Sequence, residues 1–317
     1  MTTAPTAAAE TASGPSGGPP PEEIKAVPVR HPGRWVAVAV IAVLVAMIVH
    51  GMVTNKRFHW GTVGKYLFDQ RIIRGVGVTL ELTVFAMLIG VALGVILAIM
   101  RLSPNPVLSS AAWVYLWVFR GTPVYVQLVF WGLISALYPR IGFGIPFGPE
   151  FATFNTERLI GFFVAAVLGL SLNEAAYMAE IVRAGILSVD EGQLEASAAL
   201  GMRRGLMMRR IVLPQAMRVI IPPTGNEVIS MLKTTSLVIG VPLTIDLYSR
   251  AHDIGGRLFQ PLPLLIVASI WYLAMTSVLM TGQYYLERYY ARGAQRSLPP
   301  TPIQRLRARL SRTGEAR

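Results

Sequence analysis

The chain has 317 residues, of which 53% are hydrophobic and only 15% charged, with a net charge of +12. A soluble domain is about 45–50% apolar and about 25% charged, so this composition predicts an integral membrane protein. The absence of cysteine excludes disulfides, cysteine-ligated zinc and thiol catalysis. The arginines flank apolar runs, which points to membrane topology rather than to nucleic-acid binding.

In chain order, residues 1–30 are dominated by Ala, Thr, Pro, Gly and Ser. Such a segment cannot bury enough apolar surface to fold and reads as a disordered tail. Its apolar run comes too late for a secretory signal peptide. The first span runs from about Trp35 to Val53 without a charged residue, close to the roughly 20 residues that cross a hydrocarbon core. A basic segment to residue 75 follows, with Phe58, Trp60, Tyr66 and Phe68 placed to lie along the membrane surface. The second span covers about Val76 to Met100 and carries Glu81. Pro104 and Pro106 then force a turn. The third span, about Ala111 to Leu137, contains Arg120 and a Gly-Thr-Pro run that breaks or bends it. Residues 138–158 read as a loop. A fourth span covers about Leu159 to Ile181, and a polar, basic stretch occupies 188–214. The fifth span, Ile220 to Val241, is entered through Pro222 and Pro223. The sixth runs from about Leu262 to Tyr285, and residues 286–317 form a basic tail. The expected fold is all-α, with about six transmembrane helices.

With both termini and the 188–214 stretch inside, 18 of the 29 lysines and arginines fall on the inner side and nine on the outer side. The positive-inside rule favours that orientation. The five basic residues of the first outer loop are its dissenting element.

No GxxxxGK[S/T] phosphate loop is present, so ATP chemistry, if it drives this protein, belongs to a partner chain. The four histidines are scattered without metal-ligand spacing, and no catalytic set is suggested. The informative residues are polar ones at membrane depth, where a charge costs about 2.5–3.5 kcal/mol and functional use is the default expectation. Glu81, Arg120, Glu174, Glu227 and Lys233 qualify. Thr122, Asn173, Thr235 and Ser236 extend the candidate substrate path. Glu81 is open to plain solvation, Arg120 to pairing with a carboxylate or with freed carbonyls, Glu174 to an interhelical hydrogen bond, and Lys233 to receiving an α-carboxylate or pairing with Glu227 or Glu174. Glu180 and Arg183 are spaced to pair on one helix. Glu227, Ser230 and Lys233 form a stripe expected to face the bundle interior or a dimer axis.

The 188–214 stretch reads as a short capped helix. Ser188 with Glu191, or Asp190 with Gln193, has capping-box spacing. Gly201 is placed to close the helix, and Pro214 to open the next. Glu195-Ala196, Gly201, Ile211, Leu213 and Pro214 match the EAA signature of ABC-importer permeases, with Ser197 in place of the second alanine. Phe-Arg-Gly-Thr-Pro at 119–123, Glu180-Ile-Val-Arg-Ala-Gly-Ile, Leu213-Pro-Gln-Ala and Leu232-Lys-Thr-Thr-Ser-Leu occur in order with it. Together they resemble the polar amino-acid permeases of the histidine/glutamine type, over residues 76–285.

That resemblance implies a type I importer core formed by the last five spans, with the first span as an addition. It implies that residues 188–214 are a coupling loop docking on a cytoplasmic ATPase. The implied partners are a second permease subunit, identical or related, two ABC ATPases, an extracytoplasmic binding protein and the lipid bilayer, with no nucleic acid. The chain itself is expected to bind no metal or cofactor, ATP and Mg being used by the ATPase. It is expected in a bacterial cell membrane. The family commonly has Lys-Asp where Lys233-Thr234 stands here, and the lost carboxylate argues against cationic cargo. Other small solutes, and a signalling or scaffold role without transport, remain as alternatives.

Overall fold

The computed structural model describes residues 32–145 and 148–290. The expected N-terminal tail and most of the C-terminal tail lie outside them. The chain divides into two compact units, one ending at Asn55 and one beginning at Lys56. In the first, α1 (Pro32–Thr54) is an uncharged helix of 23 residues apart from Arg34, and its side chains are exposed along the whole span. A helix apolar on every side is suited to lipid rather than water.

The second unit starts with α2 (Trp60–Leu67), the basic segment expected at the membrane surface. It is held by Val63, which is buried, by the Thr62 hydroxyl donating to Gln260 Oε1 at 2.8 Å, and by Trp271 Nε1 donating to the Leu67 carbonyl at 2.8 Å. Trp60 and Phe68 stay exposed. Asp69 caps α3 (Gln70–Arg101) by accepting from the Arg71 N–H, and its carboxylate also takes the Arg71 side chain at 3.0 Å. That guanidinium holds the Asp69 carboxyl below its usual range. Glu81 is exposed on the outer face of α3.

The expected third span is divided. α4 (Pro106–Gly121) and α5 (Val124–Gly132) are separated at Thr122-Pro123. Pro123 lacks an N–H, and Thr122 before it takes an extended conformation (φ −114°, ψ 143°). α6 (Ile134–Leu137) follows. The segment expected as a plain loop pairs as an antiparallel hairpin of β1 (Arg140–Gly144) and β2 (Glu150–Asn155), leading into α7 (Thr156–Leu159). The hairpin is a local ornament on an otherwise helical fold. α8 (Phe162–Leu187) is the fourth span.

α9 (Glu191–Ala199), α10 (Arg204–Met207) and a π-turn (Met208–Val212) form the stretch before α11 (Leu213–Thr234), which ends in a 3-10 turn (Thr235–Gly240). The expected fifth span starts earlier than Ile220. Pro222 and Pro223 lie inside α11 rather than at its entrance, with Pro214 in its first turn. α12 (Leu247–Arg257) and α13 (Pro261–Tyr290) close the described chain, so helix extends five residues past the expected end at Tyr285. Among the described residues, α1, α3, α8 and α13 are long and apolar enough to cross a membrane. α4 and α5 fall short because proline splits them, and α11 because it carries Asn226, Glu227 and Lys233 in a less apolar sequence.

The pairing of α3 with α8 organises the second unit. Gly90 and Gly94, four residues apart, present bare backbone to α8, as small residues do in close membrane-helix contacts. A Cβ on Gly94 would stand 2.5 Å from Met178 Cβ and 3.1 Å from the Ala175 carbonyl oxygen. On Gly90 it would stand 2.8 Å from Glu174 Cβ. The same glycines therefore fix the position of Glu174. Replacing Gly94 with valine is expected to lower stability by about 1–3 kcal/mol or more through overpacking. A thermal melt of the purified protein reads this as a fall in midpoint.

Beyond α11, Asp246 is fully buried and caps α12 by accepting from the Tyr248 and Ser249 N–H groups. Burial pushes its carboxyl up, opposed by those hydrogen bonds. The Leu247 N–H donates to Thr79 Oγ1 at 3.1 Å, tying α12 to α3.

Candidate functional site: a polar cavity and an exposed loop

The break between α4 and α5 exposes a backbone problem that the surrounding residues solve. In an unbroken helix the Phe119 carbonyl would accept from the N–H of residue 123, which is a proline here. Gln127 Nε2 instead donates to Phe119 O at 2.9 Å, to Thr122 O at 3.1 Å and to Thr122 Oγ1 at 2.8 Å. Asn173 Nδ2, from α8, donates to the same Phe119 carbonyl at 3.0 Å and to Gln127 Oε1 at 3.2 Å. Asn173 and Gln127 thus hold the break open in a fixed shape. Replacing Gln127 with leucine is expected to cost about 0.5–1.5 kcal/mol by removing the side-chain donor to Thr122 O and one of the two side-chain donors to Phe119 O. A lowered thermal midpoint, with Asn173→Ala costing more in that background than alone because Phe119 O then loses its remaining side-chain donor, is the measurement that checks it.

The break opens onto a cavity of about 560 Å³ between α4–α5, α8 and α11, within the size range of small-molecule sites. Arg120, Thr122, Asn173, Glu174 and Glu227, five of the candidate path residues, line it together. Tyr177, Ser230 and Thr234 complete its polar wall. The Arg120 guanidinium rests over the Tyr177 ring, 5.4 Å from the centroid, and not on a carboxylate or freed carbonyl. Glu174 is only 4% exposed, and its Oε1 has no hydrogen-bond partner among the described residues. A buried carboxylate oxygen without a partner is costly, and it lies in the cavity wall. The cavity therefore offers one cation and two carboxylates to whatever enters.

Lys233, Thr235 and Ser236 do not join this group. Thr235 is fully buried, with its hydroxyl donating to Leu232 O at 2.6 Å. Lys233 and Ser236 line a separate groove with Tyr248, Ser269 and Tyr272, and Lys233 also lines one with Asn226, Gln283 and Glu287. Helix geometry explains the split. Each step of three residues turns about 300°, so the stripe from Glu227 through Ser230 to Lys233 drifts around α11. Ser230 serves both faces, whereas Glu227 and Lys233 face different spaces. Among the described residues no ion pair joins Lys233 to Glu227 or Glu174, while Glu180 and Arg183 do pair at 2.8 Å.

Gln127 was missed by sequence reasoning. Its signal was available: a glutamine in an apolar run, eight residues after a carbonyl that a proline leaves unpaired. Tyr177 has no such signal, because its placement over Arg120 depends on how α8 meets α4.

The 188–214 stretch is built as a surface helix. Asp190, not Ser188, caps α9, accepting from the Gly192 N–H at 2.9 Å, whereas the Ser188 hydroxyl donates to Gly185 O. Gly201 has φ +71°, its N–H donates to Ala198 O at 2.9 Å, and the Met202 N–H donates to Ser197 O at 3.1 Å. This pair of bonds is the Schellman motif, which needs a left-handed residue at the position of Gly201. Ser197, where the signature has alanine, is buried and satisfies its hydroxyl on Gln193 O at 2.6 Å. Glu195, Ala196 and Gly201 are exposed, as are Leu213 and Pro214, and Leu200 is 82% exposed. Ile211 is half-buried.

Residues 90–292 match the family described as binding-protein-dependent transport system inner membrane component. The chain is 55% identical over 279 residues to the arginine transport system permease protein ArgU of Corynebacterium glutamicum, covering 88% of this chain and 86% of that one. It is 37% identical to the histidine/lysine/arginine/ornithine transport system permease protein HisM of Escherichia coli, covering 65% and 83%. A crystal structure of an amino acid ABC transporter with histidines superposes with TM-score 0.57 at 35% identity, covering 70% of this chain and 95% of that chain. The chain belongs to the binding-protein-dependent inner-membrane transport components and is a multi-pass permease subunit of an ABC importer.

Proposed function

We propose that this permease passes a cationic amino acid, arginine or a close analogue, through the cavity between α4–α5, α8 and α11. The observation that carries the reading is the buried, unpartnered Glu174 Oε1 beside Glu227 in a wall that also holds Arg120. An amino acid with a cationic side chain presents one carboxylate and two positive groups, and the cavity presents the complement. Arg120 suits the α-carboxylate, since a guanidinium matches a carboxylate bidentately. Glu174 and Glu227 suit the α-ammonium and the side-chain cation, with Asn173, Thr122, Ser230 and Thr234 as polar lining. The relatives named for arginine transport support this cargo. The argument from Lys233-Thr234 against cationic cargo is set aside: Thr234 lines a cavity that already has two carboxylates, so a missing third leaves it anionic enough.

In this reading the subunit pairs with a second permease, identical or related, and a binding protein delivers cargo from outside. Two ATPases bind below and use ATP and Mg. Glu195, Ala196 and Gly201 of the exposed loop, with Ile211, Leu213 and Pro214 behind them, meet the ATPase. Both termini and this loop are cytoplasmic, as the distribution of lysine and arginine supports. Alternating access then requires cargo and ATPase contacts that differ between two states. Equilibrium binding of labelled arginine to the purified transporter, without ATP, tests the cargo site. Saturable binding displaced by lysine but not by glutamate supports it; displacement by glutamate in preference to lysine contradicts it.

A further inference from the structure

A second cavity, of about 360 Å³, lies on the other side of α4, between the end of α3, α4 and α8. Its wall holds Arg101, Trp113, Trp117 and Glu180, with Arg120 at its deep end, where it adjoins the cargo cavity. Arg101 closes α3 at the turn into α4, which places it at a membrane surface. Its Nη1 donates weakly to Ser109 Oγ at 3.3 Å, while its Nε is buried without an acceptor. Glu180 is already engaged by Arg183, so the groove keeps a positive excess. Trp113 and Trp117 are 51% and 65% exposed, and their rings stack with centroids 6.3 Å apart, making a flat apolar wall. Trp113 stands seven residues along α4 from Pro106, about 10 Å below the turn at the rise of an α-helix.

A donor wanting an acceptor at the membrane surface, above an apolar aromatic wall descending into the bilayer, matches a phosphate ester with an acyl chain beneath it. We propose that this groove binds an anionic phospholipid, its phosphate on the Arg101 guanidinium and one acyl chain along Trp113 and Trp117. Basic pockets between transmembrane helices recognise lipid head groups in this way. With the termini oriented as above, the lipid comes from the cytoplasmic leaflet. The phosphate position on Arg101 lies outside the cargo cavity, while Arg120 and Gly121 line both spaces.

The test uses delipidated purified transporter, titrated in detergent with dioleoylphosphatidylglycerol, with dioleoylphosphatidylcholine or with inorganic phosphate. Thermal midpoint and quenching of tryptophan fluorescence by the brominated form of each lipid are the readouts. Phosphatidylglycerol is expected to raise the midpoint and quench, and phosphatidylcholine to do so more weakly. Inorganic phosphate is expected to do neither. Arg101→Ala is expected to weaken the apparent affinity for phosphatidylglycerol about fivefold, and Arg101→Lys to restore most of it. If Arg101→Ala does not fold, replacing both Trp113 and Trp117 with leucine is the second variant, expected to reduce quenching by the brominated lipid to that of the remaining four tryptophans. Equal responses to the two lipids, an unchanged affinity in Arg101→Ala, unchanged quenching in the double variant, or a full shift with inorganic phosphate alone each overturn the proposal. The assay is blind to orientation and to transport, so its failure leaves the cargo reading untouched.

Discussion

Replacing Glu174 with glutamine is expected to reduce uptake of a cationic amino acid about a hundredfold while leaving the protein folded. The substitution keeps the volume and shape of a side chain packed against Gly90 on α3, so α3 and α8 still fit. Among the described residues Glu174 Oε1 makes no hydrogen bond, so none is lost there. What disappears is the carboxyl group that can carry a negative charge toward a cationic cargo. Removing one member of a buried charge pair costs about 2–5 kcal/mol, and about 2.7 kcal/mol corresponds to a hundredfold. Glu227 shares the same wall but is less buried, so Glu227→Gln is expected to fall in the same direction with a smaller loss. Uptake of labelled arginine into proteoliposomes, with each variant's thermal midpoint measured alongside, checks both. Wild-type uptake by Glu174→Gln at an unchanged midpoint would remove Glu174 from the cargo path.

Gly201→Val is expected to reduce ATP-driven uptake at least tenfold while ATP hydrolysis continues. A Cβ at Gly201 meets nothing within 4 Å, so sterics with neighbours do not oppose the change. The obstacle is conformational. At φ +71° a residue with a Cβ is disfavoured by about 1–2 kcal/mol, most for a β-branched one. The valine variant relieves that strain by undoing the Schellman bonds to Ala198 O and Ser197 O, which frays the end of α9 and displaces the exposed face carrying Glu195 and Ala196. Gly201→Asn, whose side chain tolerates the left-handed region, is expected to keep most of the coupling. The ratio of cargo moved to ATP hydrolysed separates the variants. Equal ratios for valine and asparagine would mean that the backbone shape of this loop does not matter to the ATPase.

These two sites differ in how far the residues alone reveal them. The loop is local: Asp190, Gly201 and Pro214 act within a few residues of themselves, so capping and the left-handed glycine are legible in the chain, and only the choice of Asp190 over Ser188 waits for the structure. The long apolar spans are legible for the same reason. The cavity is not local. That Arg120, Asn173, Glu174 and Glu227 carry polar groups at membrane depth is readable, but which of them share a space depends on how three helices rotate against one another. Lys233 and Thr235 show the difference. They belong to the same polar run as Glu227, yet the turn of α11 sends Lys233 to another groove and Thr235 into the core. The Gly90 and Gly94 contact, which sets the depth and rotation of α8, is visible as a spacing of four but says nothing of its partner until α8 is in place. Likewise Pro222 and Pro223 mark an irregularity on either reading, and only tertiary packing decides that the helix continues through them.

The central claim is that this permease moves a cationic amino acid past Glu174 and Glu227. The most direct measurement is ATP-dependent accumulation of labelled arginine in proteoliposomes containing the permease, its ATPase and its binding protein, challenged with unlabelled amino acids. The account predicts accumulation that requires ATP, is suppressed by excess lysine or ornithine, and is indifferent to excess glutamate. Accumulation suppressed by glutamate or glutamine and indifferent to lysine would contradict it.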